Sequence, residues 1–108
     1  MERVDKLIIF ARAPRLGQAK TRLAAEVGSQ SALDIYSQLL ALLLESLKSL
    51  KHVEIAFAPP DAEAELRPLL PVSWKLRPQI EGTLDARLVH AFDHAFSEGA
   101  SKVAIIGS

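Results

Sequence analysis

Residues Lys6 to Ala11 form a short apolar run with no polar alternation, and the chain then turns through Pro14 and Gly17 among four cations, Arg12, Arg15, Lys20 and Arg22. A run of this kind predicts a strand covered on both faces, as in a parallel sheet. The stretch from Lys6 to Leu23 therefore reads as a buried strand, a binding loop and the start of a helix. In an α/β protein such a loop opens at the carboxyl end of a strand, where ligands bind, and the helix after it offers unpaired N–H groups and a positive dipole end. An anionic ligand is the expectation.

The rest of the chain alternates between the two periodicities. Ala19 to Val27, with Leu23 and Val27 four apart, predicts a short helix ended by Gly28. Ser29 or Ser31 can cap a second helix to about Leu50, whose stripe of Leu33, Tyr36, Leu40, Leu43, Leu47 and Leu50 faces the sheet. Leu39, Leu42 and Leu44 widen that surface toward a neighbouring element or another subunit, as in a homo-oligomer. His52 to Ala58 is a second strand closed by Pro59 and Pro60, followed by a short acidic helix from Asp61 to about Leu70. Trp74 to Arg77, between Pro71 and Pro78, reads as a short strand, with an extended edge or a loop as the alternative. Thr83 caps a helix to about Ser97 that carries Leu84, Leu88, Ala91, Phe92, Ala95 and Phe96, and Gly99 stops it before a last apolar strand, Lys102 to Ile106.

This order predicts a three-layer α/β/α fold with a mostly parallel sheet, right-handed crossovers and helices on both faces. With 108 residues the chain has room for one domain, residues 1–108, with a core of its own. In such folds the residues just after a central strand help build the site, so a sequence stopping at Gly107-Ser108 reads as a cut chain.

Composition narrows the partners. Thirteen basic and 13 acidic side chains cancel, so no global field draws the chain to nucleic acid or an anionic membrane, and any anion site has to be local. Zero cysteines exclude a disulfide framework, a thiolate nucleophile and Cys-based metal centres. The most apolar segment, Leu39 to Leu50, is interrupted by Glu45 and Lys48 and falls short of the roughly 20 residues a membrane span needs. The mixed charges of the first five residues and the short apolar run behind them do not make a signal peptide, and a cytoplasmic protein is expected.

The cationic loop is not a P-loop. Counting back from Lys20-Thr21 in G-x-x-x-x-G-K-[ST], the glycine positions hold Pro14 and Ala19, and proline has no N–H to offer a phosphate. What remains is a loop stiffened by Pro14, turned at Gly17, and charged by Arg12, Arg15, Lys20 and Arg22. Guanidinium forks with an ammonium suit a di- or triphosphate. The same four residues also fit ordinary solvated surface cations. His90 and His94 stand four apart on one helix face, a metal-ligand spacing, but Ala91 occupies the position where a zincin needs Glu, and surface histidines fit equally. Asp61, Glu63 and Glu65 favour a helix N-terminus electrostatically. No nucleophile elbow supports a Ser–His–Asp set.

The run Ile9-Phe10-Ala11-Arg12-Ala13-Pro14, followed by Gly17, Lys20, Thr21, Arg22 and Leu23, resembles the signature of the DUF2064 family. This is a group of glycosyltransferase-A-like transferases of the radical-SAM and selenodomain-associated type, related to molybdenum-cofactor guanylyltransferases. The resemblance extends to Ala58-Pro59, to Gln79, Gly82, Leu84 and Arg87, and to Val103 through Ser108. It implies the N-terminal half of a nucleotide-diphospho-sugar transferase fold, acting in glycosyl or nucleotidyl transfer. It places Arg12, Pro14, Gly17, Lys20, Thr21 and Arg22 near phosphates, with Gln79, Gly82 and Arg87 on the substrate side. A turn and a helix cap are the alternative roles of Gln79 and Gly82. The expected ligands are a nucleoside di- or triphosphate or a nucleotide sugar, with Mg²⁺ or Mn²⁺.

Two departures bear on this. The family pattern continues Gln-x-x-Gly with Asp-Leu-Gly, where this chain has Thr83-Leu84-Asp85, and its metal-associated aspartate follows the Gly-Ser with which this sequence ends. No metal ligand can be named in this chain, nor a catalytic residue. The competing expectations are a catalytically inactive nucleotide-binding or subunit-interaction module and a fragment of a longer enzyme.

Overall fold

A computed structural model of the protein describes residues 4–17 and 20–108. Four parallel strands, β1 (Val4–Arg12), β2 (Val53–Ala58), β3 (Lys75–Pro78) and β4 (Ala100–Gly107), form one sheet in the order β3-β2-β1-β4. The chain steps outward from β1 to β3 and then returns to the far side of β1. That reversal places a topological switch point between β1 and β4, the position where open α/β sheets leave a crevice beyond their carboxyl ends.

The helices are α1 (Thr21–Val27), α2 (Ser29–Leu47), α3 (Glu63–Leu66) and α4 (Leu84–Ser97). Side chains along β1 alternate between two cores because successive residues of a strand point to opposite faces. Ile9 and Ala11 join Ile55 and Phe57 beneath Tyr36, Leu40 and Leu44 of α2, with Leu66 and Trp74 completing that core. Ile8 and Phe10 face the other way, against Ala91 and Ala95 of α4. The three-layer, mostly parallel α/β architecture read from the sequence is the one observed.

Several local expectations are corrected. Neither Ser29 nor Ser31 caps α2: Gly28, at a φ of 91°, closes α1 by donating to the Ala24 carbonyl and opens α2 by accepting from Ala32. A left-handed glycine serves both helix ends, so no side-chain cap is needed. The helix expected to start at Ala19 starts at Thr21; Gln18 and Ala19 lie outside the described residues, as do Met1 to Arg3. The acidic helix expected to Leu70 ends at Leu66 and continues as a 3₁₀ turn over Arg67–Leu69, because Pro68 has no N–H for another α-helical bond. Leu44 belongs to the core rather than to a widened outer surface, whereas Leu50 is exposed. On α4 the expected core residues Leu84 and Phe96 are exposed and Leu88 and Phe92 are half-buried, while Ala91 and Ala95 pack in the core against the sheet.

Other signals translate directly. The Thr83 hydroxyl accepts from the Ala86 N–H at 3.1 Å and caps α4. β2 stops before Pro59, and β3 holds the register Glu54 opposite Lys75 to Phe57 opposite Pro78 despite its flanking prolines. Proline at the end of an edge strand removes a donor the ladder does not use.

Candidate functional site

A crevice of about 820 Å³ opens at the switch point. Its floor is the carboxyl end of β1 (Phe10, Ala11, Arg12) and of β4 (Gly107, with Ser108 beyond it); one wall carries Gly17, Lys20, Thr21, Arg22 and Leu23, the other Gln79 and Arg87, and Tyr36 reaches in from α2. The volume is that of an ordinary small-molecule site. Two segments separated by more than fifty residues of sequence thus face each other across one hollow. Of the residues expected to form the site, the fold brings together Arg12, Gly17, Lys20, Thr21, Arg22, Gln79 and Arg87.

Pro14 and Gly82 are placed elsewhere. Pro14 lines a separate apolar hollow with Leu40, Leu44, Leu69 and Pro71. Gly82 does not line the crevice; at a φ of 127° it shapes the turn before Thr83, in the role its alternative reading gave it. Arg15 belongs to the same cationic motif yet is spent internally. Its Nε lies 2.9 and 3.0 Å from the two Glu65 carboxylate oxygens, and its Nη2 contacts Glu65 and lies 3.1 Å from Asp61. The hydrogen bond to Arg15 holds the Glu65 carboxyl below the usual carboxylate range, although desolvation works against it.

The crevice cations differ from Arg15 in having no Asp or Glu partner among the described residues. Among the described residues, no Asp or Glu side chain lies within ion-pair distance of Arg12, Lys20, Arg22 or Arg87, and none lines the crevice. Arg87 is instead aimed by neutral groups. Gln79 donates to the Ala56 carbonyl at 2.8 Å, and its own side-chain oxygen accepts from Arg87 Nη1 at 2.8 Å. The guanidinium is therefore oriented while its charge stays uncompensated.

Lys20 sits at φ 49° and ψ 57°, left-handed backbone that costs a non-glycine residue about 1–2 kcal/mol. Its ammonium donates to the Ser108 carbonyl at 2.9 Å and lies 5.8 Å from the centre of the Tyr36 ring, over its face. Backbone strain of this kind persists only where surrounding contacts impose it. Gly17 turns the loop at a φ of 78°, with open space where a side chain would project, so the turn rather than a close approach requires glycine. Because α1 has only seven residues, attraction for an anion rests on the side chains more than on its dipole.

Sequence reasoning placed Tyr36 on the core-facing stripe of α2 and missed its other end. The ring is buried, but the hydroxyl accepts from the Arg12 N–H at 2.9 Å, donates to the Arg12 carbonyl at 2.8 Å and lies 3.2 Å from the Ser108 hydroxyl. The available signal was a lone tyrosine in a leucine stripe, since a buried phenol needs polar partners.

A divalent metal finds no ligand set in these residues. Among the described residues no Asp, Glu or His side chain lines the crevice, and no three of them converge elsewhere. His90 and His94 lie elsewhere, their rings 6.2 Å apart, with His94 Nδ1 3.0 Å from Glu98.

With the fold and the crevice in view, the class is that of an open parallel α/β domain with a cationic site at its switch point. The family described as an uncharacterized protein conserved in bacteria, DUF2064, matches residues 42–108, more than half of the chain, and the protein belongs to it. A solved structure, that of a candidate nucleotide-diphospho-sugar transferase from Desulfovibrio desulfuricans G20, is similar at a TM-score of 0.86 and 27% identity. The similarity takes in 99% of this chain and 48% of the other, so this chain spans about half the length of that protein. No curated protein matches it. Among the described residues no helix is long and apolar enough to cross a membrane.

Proposed function

We propose that the switch-point crevice binds the diphosphate of a nucleoside di- or triphosphate or a nucleotide sugar, as the nucleotide-binding portion of a cytoplasmic glycosyl or nucleotidyl transferase. The observation that carries this reading is the crevice lining itself: Arg12, Lys20, Arg22 and Arg87 with no Asp or Glu side chain among the described lining residues. Charge-assisted hydrogen bonds from guanidinium and ammonium groups are the strong ones, and gathering uncompensated cations in one hollow costs stability unless an anion completes it. The candidate transferase from Desulfovibrio desulfuricans supports the same chemistry by similarity.

In such a transfer, negative charge accumulates on the departing diphosphate. Cations placed around the phosphates lower that barrier because they interact more strongly with the transition state than with the bound substrate. Arg12 and Lys20 would hold one end of the diphosphate and Arg87, aimed by Gln79, the other. Apolar lining at Phe10, Ala11 and Leu23 gives a nucleoside surface to rest on. No step is assigned to a metal, since these residues provide no ligands for one.

A second reading, a nucleotide-binding module without catalysis, is favoured by one observation: among the described residues no Asp, Glu or His side chain lines the crevice to act as general base. Calorimetric titration of the chain with nucleoside di- and triphosphates, with and without Mg²⁺, tests the shared part of both readings. Binding that survives without Mg²⁺ and is lost in Lys20→Ala is expected; no binding to the folded chain rejects both. A transfer or hydrolysis assay on the bound nucleotide then separates enzyme from binding module.

A further inference from the structure

We infer that Tyr36 is the positioning residue of the crevice, holding two of its cations by two different chemistries. This rests on the diphosphate reading of the crevice. Arg12 is the last residue of β1, and the backbone register with β4 ends two residues earlier, at Phe10 opposite Gly107. The following Ala13 N–H turns to the Ala58 carbonyl of β2, at 2.9 Å, so the Arg12 N–H and carbonyl point to the opposite side, toward β4. Both find the Tyr36 hydroxyl, at 2.9 and 2.8 Å. A single buried phenol thus satisfies both polar groups of the residue at the end of the strand.

The Ser108 hydroxyl extends the tie. It donates to the Phe10 carbonyl at 3.0 Å and stands 3.2 Å from the Tyr36 oxygen, so the carboxyl ends of β1 and β4 are joined through α2. The Arg12 side chain consequently leaves a fixed backbone point while its guanidinium stays exposed for a ligand. On the same residue, the aromatic face carries the Lys20 ammonium at 5.8 Å. A cation resting on a ring face and a cation springing from a pinned backbone are both organised before the anion arrives, which reduces the entropy lost on binding.

Two substitutions separate the two functions. Tyr36→Phe removes the hydroxyl and keeps the buried ring, so Lys20 retains its platform while Arg12 loses its anchor. Inorganic pyrophosphate, titrated calorimetrically into the full chain, is the probe. Tyr36→Phe is expected to weaken its binding about 5- to 10-fold, and Arg12→Ala by at least as much. If the hydroxyl acts by aiming Arg12, adding Tyr36→Phe to Arg12→Ala costs less than about 2-fold more, a coupling that a merely structural tyrosine would not give.

Since Tyr36 is the one tyrosine in the chain, 3-fluorotyrosine labelling of the wild type supplies a second readout should Tyr36→Phe fail to fold. Its fluorine resonance is expected to move on saturation with pyrophosphate. Equal pyrophosphate affinity in Tyr36→Phe and wild type, beside a weakened Arg12→Ala, overturns the positioning role and leaves the crevice reading standing, as does an unmoved resonance at saturation. Failure of the wild type to bind pyrophosphate rejects the crevice reading and the inference together.

Discussion

Two groups of charged side chains lie at opposite ends of the same sheet, and they are built on opposite rules. Toward the strands' amino ends and the end of α4, Lys6 reaches Glu54 at 3.4 Å and Glu98 at 3.2 Å, Arg77 reaches Glu54 at 3.2 Å, and His94 lies 3.0 Å from Glu98. Each of these five side chains has a partner from another element or another turn. At the carboxyl ends, Arg12, Lys20, Arg22 and Arg87 surround a hollow with no Asp or Glu side chain among its described lining residues. Paired charge ties strands and helix together; charge left unpaired in a cavity is available to a ligand. Arg15 shows that the division runs through a single motif, since it faces Glu65 and Asp61 while Arg12, three residues earlier, faces the crevice.

The comparison can be broken first at the crevice. Removing Arg12 and Lys20 together should weaken pyrophosphate binding about 100-fold or more in calorimetry, at about 1.5–3 kcal/mol for each charged hydrogen bond. The melting temperature should not fall appreciably, because neither side chain pairs with an Asp or Glu among the described residues and like charges gathered in one hollow cost stability.

Lys6→Met should do the reverse. Glu54 is buried at 3% exposure, and losing the ammonium leaves it with Arg77 alone. A cost of about 2–3 kcal/mol in denaturant unfolding is expected, somewhat below the full penalty for a broken buried pair because one partner remains. Pyrophosphate affinity should not change.

A smaller effect sharpens the same contrast through pH. Burial works to raise the Glu98 carboxyl, but the Lys6 hydrogen bond and the charges of Lys6, His94 and Arg77 outweigh it and hold the group below the usual carboxylate range. A carboxyl lowered in the folded state adds stability above its unfolded value, near 4.3, and that increment is lost as pH falls through the folded value. Glu98→Gln should therefore cost up to about 1 kcal/mol at neutral pH. Its difference from wild type should vanish at strongly acid pH, as measured by urea unfolding along a pH series. The smallest effect is expected for Arg15→Ala, whose pairs lie at the surface and are screened by solvent, so the melting temperature should barely move. Its pyrophosphate affinity should stay within about 2-fold of wild type.

Much of this was legible in the chain because it rests on local rules. The unbroken apolar run of β1, the Thr83 cap and the punctuation at Gly28, Pro59 and Gly99 act over a few residues, and the α/β alternation follows from them. The parts that escaped depend on tertiary geometry. Which of Arg12 and Arg15 would be consumed by a carboxylate depended on where Asp61 and Glu65 come to rest, fifty residues away. Tyr36 looked like one more apolar position because its ring is one; the partner of its hydroxyl is backbone, which carries no sequence signature. Pro14 and Gly82 carried motif identity without crevice position, serving instead the loop's stiffness and the turn before α4.

The central claim, that the unpaired cations at the carboxyl end are the binding site, is tested most directly by mapping amide chemical shifts during titration with a nucleoside diphosphate. The account predicts perturbations concentrated at Arg12, Gly17, Lys20, Arg22, Tyr36, Gln79, Arg87 and Gly107, with little change at the amino end of the sheet. Perturbations centred on Lys51, His52 and Lys102 instead, with the crevice amides unmoved, would contradict it.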